Sequence, residues 1–335
     1  MKALTDIPFS LLELASVPDG FTIRQTLAAM LDYARAADQL GYQRFWLAEH
    51  HNMEGIASSA TAVLVGQVAA HTQRLRVGSG GIMLPNHPPL VVAEQFGTLD
   101  ALYPGRIDLG LGRAPGTDPI TSRALHRDEQ RAEHFPDEVA ELQSLLGEKN
   151  PARRVQAYPG YDSQVAIWLL GSSLFSARLA AQRGLPYAFA GHFAPRLARE
   201  ALALYRHHFQ PSALLSEPYA ILCLPLIIAD SDDEARYLET SSQQRVLSLL
   251  QGKPLYLPPP VDSMDGIWTP YSKAQVDDFL ALSVCGGPAS VRSKLQALLS
   301  QLPADELMFT NDIYDRRQRI HALELLQAVK DSPAG

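Results

Sequence analysis

Cysteine is nearly absent: the 335 residues contain only Cys223 and Cys285, far apart in the chain. Two thiols build no disulfide scaffold, and so low a count suits a reducing compartment. Basic runs are missing too. Lys and Arg never cluster beyond a pair, and they number 29 against 36 Asp and Glu, a formal charge of −7. That balance disfavours nucleic acid or an anionic membrane as a partner, but it leaves room for a local phosphate pocket. No apolar stretch approaches the length of a membrane span. Near the start, Asp6 and Glu13 interrupt what would be the apolar core of a signal peptide. The expectation is a soluble cytoplasmic protein. What the chain has in quantity is hydrophobic residues, at 46%. At this length they can fill one large α/β barrel or two ordinary domains.

The hydrophobic pattern alternates short β-branched or aromatic runs with longer helical ones. A strand near Ile7–Leu12 precedes a helix over Thr26–Leu40, which Gly41 stops. Strands at Tyr42–Leu47, Leu75–Met83 and Arg106–Leu111 are each followed by a helix: Ser59–His71, Leu90–Leu102 and Phe135–Leu146. The second half repeats this with Ala166–Leu170, Tyr187–Ala190, Ala220–Ile228 and Glu306–Thr310. Their helices are Ser173–Arg183, Arg196–Phe209, Asp233–Leu250 and Arg316–Val329. Eight strand–helix units imply parallel strands joined by crossover helices. They favour a closed (β/α)8 TIM barrel, with an open doubly wound sheet as the alternative. One stretch breaks the alternation. Gly252–Pro270 carries Pro254, Pro258, Pro259 and Pro260, yet holds Tyr256 and Trp268. It reads as an ordered excursion over the mouth, a lid insertion at 251–272 before the eighth strand.

In such a barrel the chemistry gathers at the carboxyl ends of the strands. The second strand runs into Glu49-His50-His51-Asn52. Adjacent histidines on an extended chain point in different directions, so one can face the mouth while the other packs outward. They are poorly placed to share a metal, and no metal spacing stands out. A histidine there is a proton donor available near neutral pH, or simply a hydrogen-bonded loop residue. Gly78, Gly80 and Gly81 in the third strand mark either a bulge or a flat ligand lying against bare backbone. The fourth strand ends in Gly110-Leu111-Gly112-Arg113-Ala114-Pro115. This is not a dinucleotide fingerprint, because the third glycine is missing and Pro115 obstructs an immediate helix. After the fifth strand a helix opens with Ser173 and Ser176. Its unpaired amides, its dipole, two hydroxyls and the neighbouring Arg113 make a phosphate site. His192 and Phe193 lie at the same rim.

With these residues the sequence resembles the bacterial luciferase-like flavin-dependent monooxygenase family, and in particular its small luciferase-like oxidoreductases. The motifs are Trp46–Asn52 (WLAEHHN), Gly78–Pro89 (GSGGIMLPNHPP) and Phe96–Gly116 (FGTLDALYPGRIDLGLGRAPG). The similarity runs on through Leu169–Gly184 and Asp312–Val329. The resemblance implies a single luciferase-like (β/α)8 barrel domain over residues 1–335, a homodimer, and FMN or a related flavin. It places His50 at the reactive edge of the isoalloxazine ring and Gly80–Gly81 at a non-proline cis peptide behind it. Gly112 and Arg113 fall on the phosphate side, with Ser173 and Ser176 contacting the phosphate. It implies a two-component monooxygenase, in which a separate flavin reductase supplies reduced FMN as co-substrate for oxidation of a small organic molecule. Hydride transfer with a deazaflavin coenzyme and non-catalytic flavin binding are the alternatives. Gly112 stands where the light-emitting enzymes carry a reactive cysteine, and Ser172 replaces an acidic residue, so bioluminescence is not carried over. Few charges on Ser59–His71 and Leu90–Leu102 agree with a dimer face.

Overall fold

The computed structural model describes residues 3–125 and 132–332. Eight parallel strands close into a barrel: β1 (Phe9–Glu13), β2 (Arg44–Leu47), β3 (Arg76–Met83), β4 (Ile107–Gly112), β5 (Ala166–Gly171), β6 (Tyr187–Ala190), β7 (Ala220–Ile228) and, eighth in the ring, β9 (Glu306–Thr310). Each pairs with its neighbour in order, and β9 sits between β7 and β1. The ring closes through β6–β7. Helices α1 (Ile23–Gln39), α2 (Thr61–His71), α3 (Pro89–Leu102), α5 (Phe135–Leu146), α6 (Leu174–Arg183), α7 (Ala198–His208), α8 (Asp232–Leu250) and α11 (Arg316–Asp331) make the crossovers and the outer layer; short α4 (Pro119–Ala124) lies in the β4–α5 connection. The closed barrel, not the open sheet, is the fold.

Local chemistry sets the element ends. Thr22 and Gln25 form a reciprocal capping box at the start of α1, which satisfies amides that have no helical partner. Gly184 ends α6 in the left-handed conformation, at φ 59°.

Two features depart from the sequence reading. The excursion expected at 251–272 is the first part of a longer insertion that ends only at β9. It contains α9 (Pro270–Phe279), the short strand β8 (Val284–Gly286) and α10 (Pro288–Gln301). β8 pairs with β7 at Leu226–Ile228, beyond the ring. Among the described residues β8 is thus a ninth strand outside the eight of the barrel, and at three residues it is too short to show periodicity. The second departure is Trp268, read above as part of the excursion over the mouth. It packs on Val246, Leu247 and Val276, between α8 and α9.

Inside the barrel, Trp46 meets Trp168 edge to face at 5.2 Å, with Leu12, Ala188, Ile221, Cys223 and Met308 around them. The floor is ionic. Arg44, first residue of β2, gives Nη1 to Asp108 at 2.7 Å and Nε to Glu306 at 3.1 Å. Asp108 also accepts from Trp46 at 3.0 Å and Arg76 at 2.6 Å. Glu306 accepts from the Ser10 and Tyr219 hydroxyls. Both carboxylates are fully buried, and each is matched by cations and donors from other strands. Each of these two carboxylates is thus matched from within the barrel, and the site is sought at the other end of the strands.

Candidate active site

At the carboxyl ends of the strands, the loops after β2, β3 and β4 are tied together. Glu49, 1% exposed, is the knot. Its Oε1 accepts from His51 Nε2 and His87 Nε2, both at 2.8 Å, and its Oε2 accepts the Met83 amide at 3.1 Å. Burial alone would raise the Glu49 pKa. The hydrogen bonds from His51 and His87, the His87 charge and the Met83 amide overcome it and pull the carboxyl down to about 2. Asn86 Nδ2 adds a bond to the Pro115 carbonyl at 2.9 Å. Gly116, at φ 63°, fits against this knot only because it lacks a side chain: a Cβ there would stand 2.8 Å from the Glu49 carbonyl oxygen.

The adjacent histidines diverge as expected. His51 turns to Glu49, while His50 Nδ1 lies 3.3 Å from the Gly116 carbonyl. Burial depresses the His50 pKa; the Gly116 carbonyl opposes this and the Arg245 charge adds to it. In the turn after β6 is His192, whose pKa burial pushes down to about 4, with the His50 and Arg245 charges contributing and Asp312 opposing. His192 Nδ1 is buried without a hydrogen-bond partner among the described residues. Across the mouth, Arg245 of α8 grips both oxygens of Asp312 at 2.8 Å. The rim thus gathers two imidazoles whose charged forms burial disfavours and a carboxylate–guanidinium pair.

Gly80 and Gly81 are joined by a cis peptide where the β3–β4 register shifts. A Cβ on Gly81 would lie 2.7 Å from the Gly110 carbonyl oxygen, so this wall stays bare backbone. Beyond Gly112, the Arg113 guanidinium stacks at 4.0 Å over the ring of Phe175, in the first turn of α6. Ser173, the N-cap of that helix, makes no side-chain cap bond. Ser176 is buried, with its Oγ tucked under Gly171. The structure therefore brings Arg113, Ser173 and Ser176 to one helix start, with Gly80, Gly81 and Gly112 on strands β3 and β4 and His50 in the loop after β2. These residues suit a planar cofactor with an anionic tail: bare backbone for the plane, and a cation with helix amides for the charge.

The insertion covers this end. Its Leu255 and Leu257 amides donate to the carbonyls of Glu54 (2.7 Å) and Val17 (2.9 Å), and Asp19 donates back to Leu257 at 2.8 Å. Arg245 Nε reaches the Leu255 carbonyl at 3.3 Å. Phe193 meets Phe279 of α9 edge to face at 5.7 Å. Sequence reasoning found His50 and the helix start. It gave no role to Glu49, Arg245 or Asp312. The pairing of His87 with Glu49 spans 38 positions and leaves no local spacing signal.

A closed ring of eight parallel strands with crossover helices has the TIM-barrel architecture. The profile of the family described as luciferase-like monooxygenase matches residues 9–306. An Escherichia coli K12 protein named luciferase-like monooxygenase is 51% identical, over 98% of each chain. Among solved structures, apo-MsnO8 is 35% identical with a TM-score of 0.86, over 96% of this chain and 98% of its own. The FMN-bound oxygenating constituent of 3,6-diketocamphane monooxygenase from Pseudomonas putida shares the fold at 17% identity and TM-score 0.72, over 96% and 97%. The chain belongs to the luciferase-like monooxygenase family and is an oxidoreductase. No helix among the described residues is long and apolar enough to cross a membrane.

Proposed function

We propose that this protein is the oxygenating component of a two-component flavin-dependent monooxygenase, acting on a small organic substrate with reduced FMN from a separate reductase. The observation that carries this reading is the meeting of Arg113 with the open N-terminus of α6, on the same face as His50. FMN, when bound, supplies the oxygen-activating chemistry. Arg113, the α6 amides and the Ser173 and Ser176 hydroxyls hold its phosphate. The Gly80–Gly81 backbone takes the ring, and His50, its Nδ1–H engaged by the Gly116 carbonyl, leaves Nε2 to accept a hydrogen bond from it. The insertion shields the site from water. The FMN complex of the camphane enzyme supports this reading. The test is rapid mixing of the protein and reduced FMN with oxygenated buffer, with oxygen uptake and hydrogen peroxide release followed together. Protein-dependent delay of peroxide release is the expected result. Oxidation identical to that of free reduced FMN, or binding of a deazaflavin coenzyme in preference to FMN, overturns the reading.

Arg113→Ala is expected to weaken FMN about ten- to a hundredfold, since a charge-assisted bond to phosphate contributes about 1.5–3 kcal/mol. Riboflavin, which lacks the phosphate, is expected to bind the variant as it binds the parent. Fluorescence quenching with both flavins measures this, and equal losses remove the phosphate assignment.

A homodimer through α2 and α3 belongs to the same proposal. Val63 (65% exposed) and Leu102 (63%) stand in solvent on these helices, and their low charge suits a covered face. Light scattering at micromolar concentration is expected to give twice the chain mass. The monomer mass rejects the dimer.

A further inference from the structure

Beside the cradle lies a second set of chemistry-bearing side chains that the flavin reading does not use as ligands. His51 Nε2 and His87 Nε2 both point at Glu49 Oε1, and the three donor atoms lie within 4.8 Å of one another. Two imidazoles and a carboxylate form a three-ligand set that leaves a position open for water. Its mixed nitrogen and oxygen donors suit borderline divalent ions, whereas calcium and magnesium call for oxygen cages. The group is also held in place. The Met83 amide fixes the second carboxylate oxygen, and Asn86, anchored on the Pro115 carbonyl, reaches Oε1 at 3.4 Å. An entry path exists, because the His51 and His87 side chains are 18% and 29% exposed while Glu49 is buried.

We propose that Glu49, His51 and His87 form a binding site for a divalent transition ion of the zinc class, with Glu49 Oε1 and the two Nε2 atoms as its protein ligands. Zinc–nitrogen bonds of about 2.0–2.1 Å in a tetrahedron set ligand atoms about 3.3 Å apart. That lies between the present N···O contacts of 2.8 Å and the 4.8 Å bound on the set. Small rotations of the two rings therefore suffice. The ion takes the place of the two N–H protons now directed at Oε1. Each imidazole then carries its proton on Nδ1 and gives its Nε2 lone pair to the ion. A ring protonated on both nitrogens releases one proton to solvent. Occupancy bridges the loop after β2 to the turn after β3, one residue from His50. The site is independent of whether the cradle takes FMN.

The test is calorimetric titration of zinc chloride into the tag-free, full-length protein after chelator treatment and dialysis, with cobalt(II) absorbance as the spectroscopic counterpart. The expected result is one zinc per chain with micromolar affinity, visible cobalt bands, and a melting temperature that rises with zinc concentration. His87→Ala and Glu49→Gln are each expected to weaken binding by more than about 100-fold. A His207→Ala/His208→Ala double variant, which removes an adjacent pair on α7, is expected to bind like the parent. Circular dichroism checks folding, and His87→Gln replaces His87→Ala should the latter not fold. No stoichiometric binding overturns the site, as does binding unchanged in the His87 and Glu49 variants. The three residues are then a hydrogen-bonded clamp and nothing more.

Discussion

Alanine at position 50 is expected to lower the rate of substrate oxygenation by about 10²–10⁴-fold, the usual cost of removing a positioned acid–base group. FMN affinity should stay within a few-fold of the parent, because the proposed phosphate contacts are Arg113 and the start of α6, not His50. Without substrate, the variant should release hydrogen peroxide faster after the reduced complex meets oxygen. His51→Ala serves as the contrast. Its imidazole faces Glu49 rather than the cradle, so its loss should appear chiefly in thermal stability. Stopped-flow absorbance with peroxide detection, alongside melts of both variants, separates the two roles. Normal peroxide timing and product yield in His50→Ala would end the catalytic assignment while leaving the fold untouched.

Asp108→Ala is expected to destabilise the protein by about 3–5 kcal/mol, the cost of leaving a buried charge without its partner. Asp108 accepts from Arg44, Trp46 and Arg76. Its removal strands the Arg44 guanidinium beside Glu306 alone and leaves the Trp46 indole N–H without its acceptor. The network lies at the opposite end from His50, so FMN affinity per folded molecule should not change. Urea denaturation of parent and variant measures the difference. A loss below about 1 kcal/mol would place this floor with surface pairs of little consequence.

The barrel was legible because its strands carry apolar runs of strand length separated by helical periods, which survive in a single sequence. Helix α3 begins at Pro89 and ends at Leu102, within a residue of the sequence expectation. The insertion was only half legible. Its cluster of prolines announced an excursion, but α9 follows no strand and α10 only the three-residue β8, so nothing marked them. The proposed phosphate end could be argued from sequence because a serine N-cap and a nearby arginine are local signals. The Glu49 knot and the Arg245–Asp312 grip could not. Each joins residues whose proximity exists only after the barrel has closed, and neither leaves a spacing in the chain. Gly116 was visible as a loop glycine, but its fit against the Glu49 carbonyl was not.

The position of β9 governs how the protein is made. Ser10 and Glu306, bonded in the floor, are 296 residues apart, and β9 fills the gap between β1 and β7. During synthesis, both of those strands present bare edges until the last barrel strand leaves the ribosome. Arg44 meanwhile waits for one of its two carboxylates. Such edges are templates for pairing with other chains, and closure across so long a loop is slow. Nascent chains stalled before Glu306 should therefore be the aggregation-prone and chaperone-bound species. Tags or fusions that delay release of the C-terminal segment should lower the yield of folded protein more than equal additions at the other end.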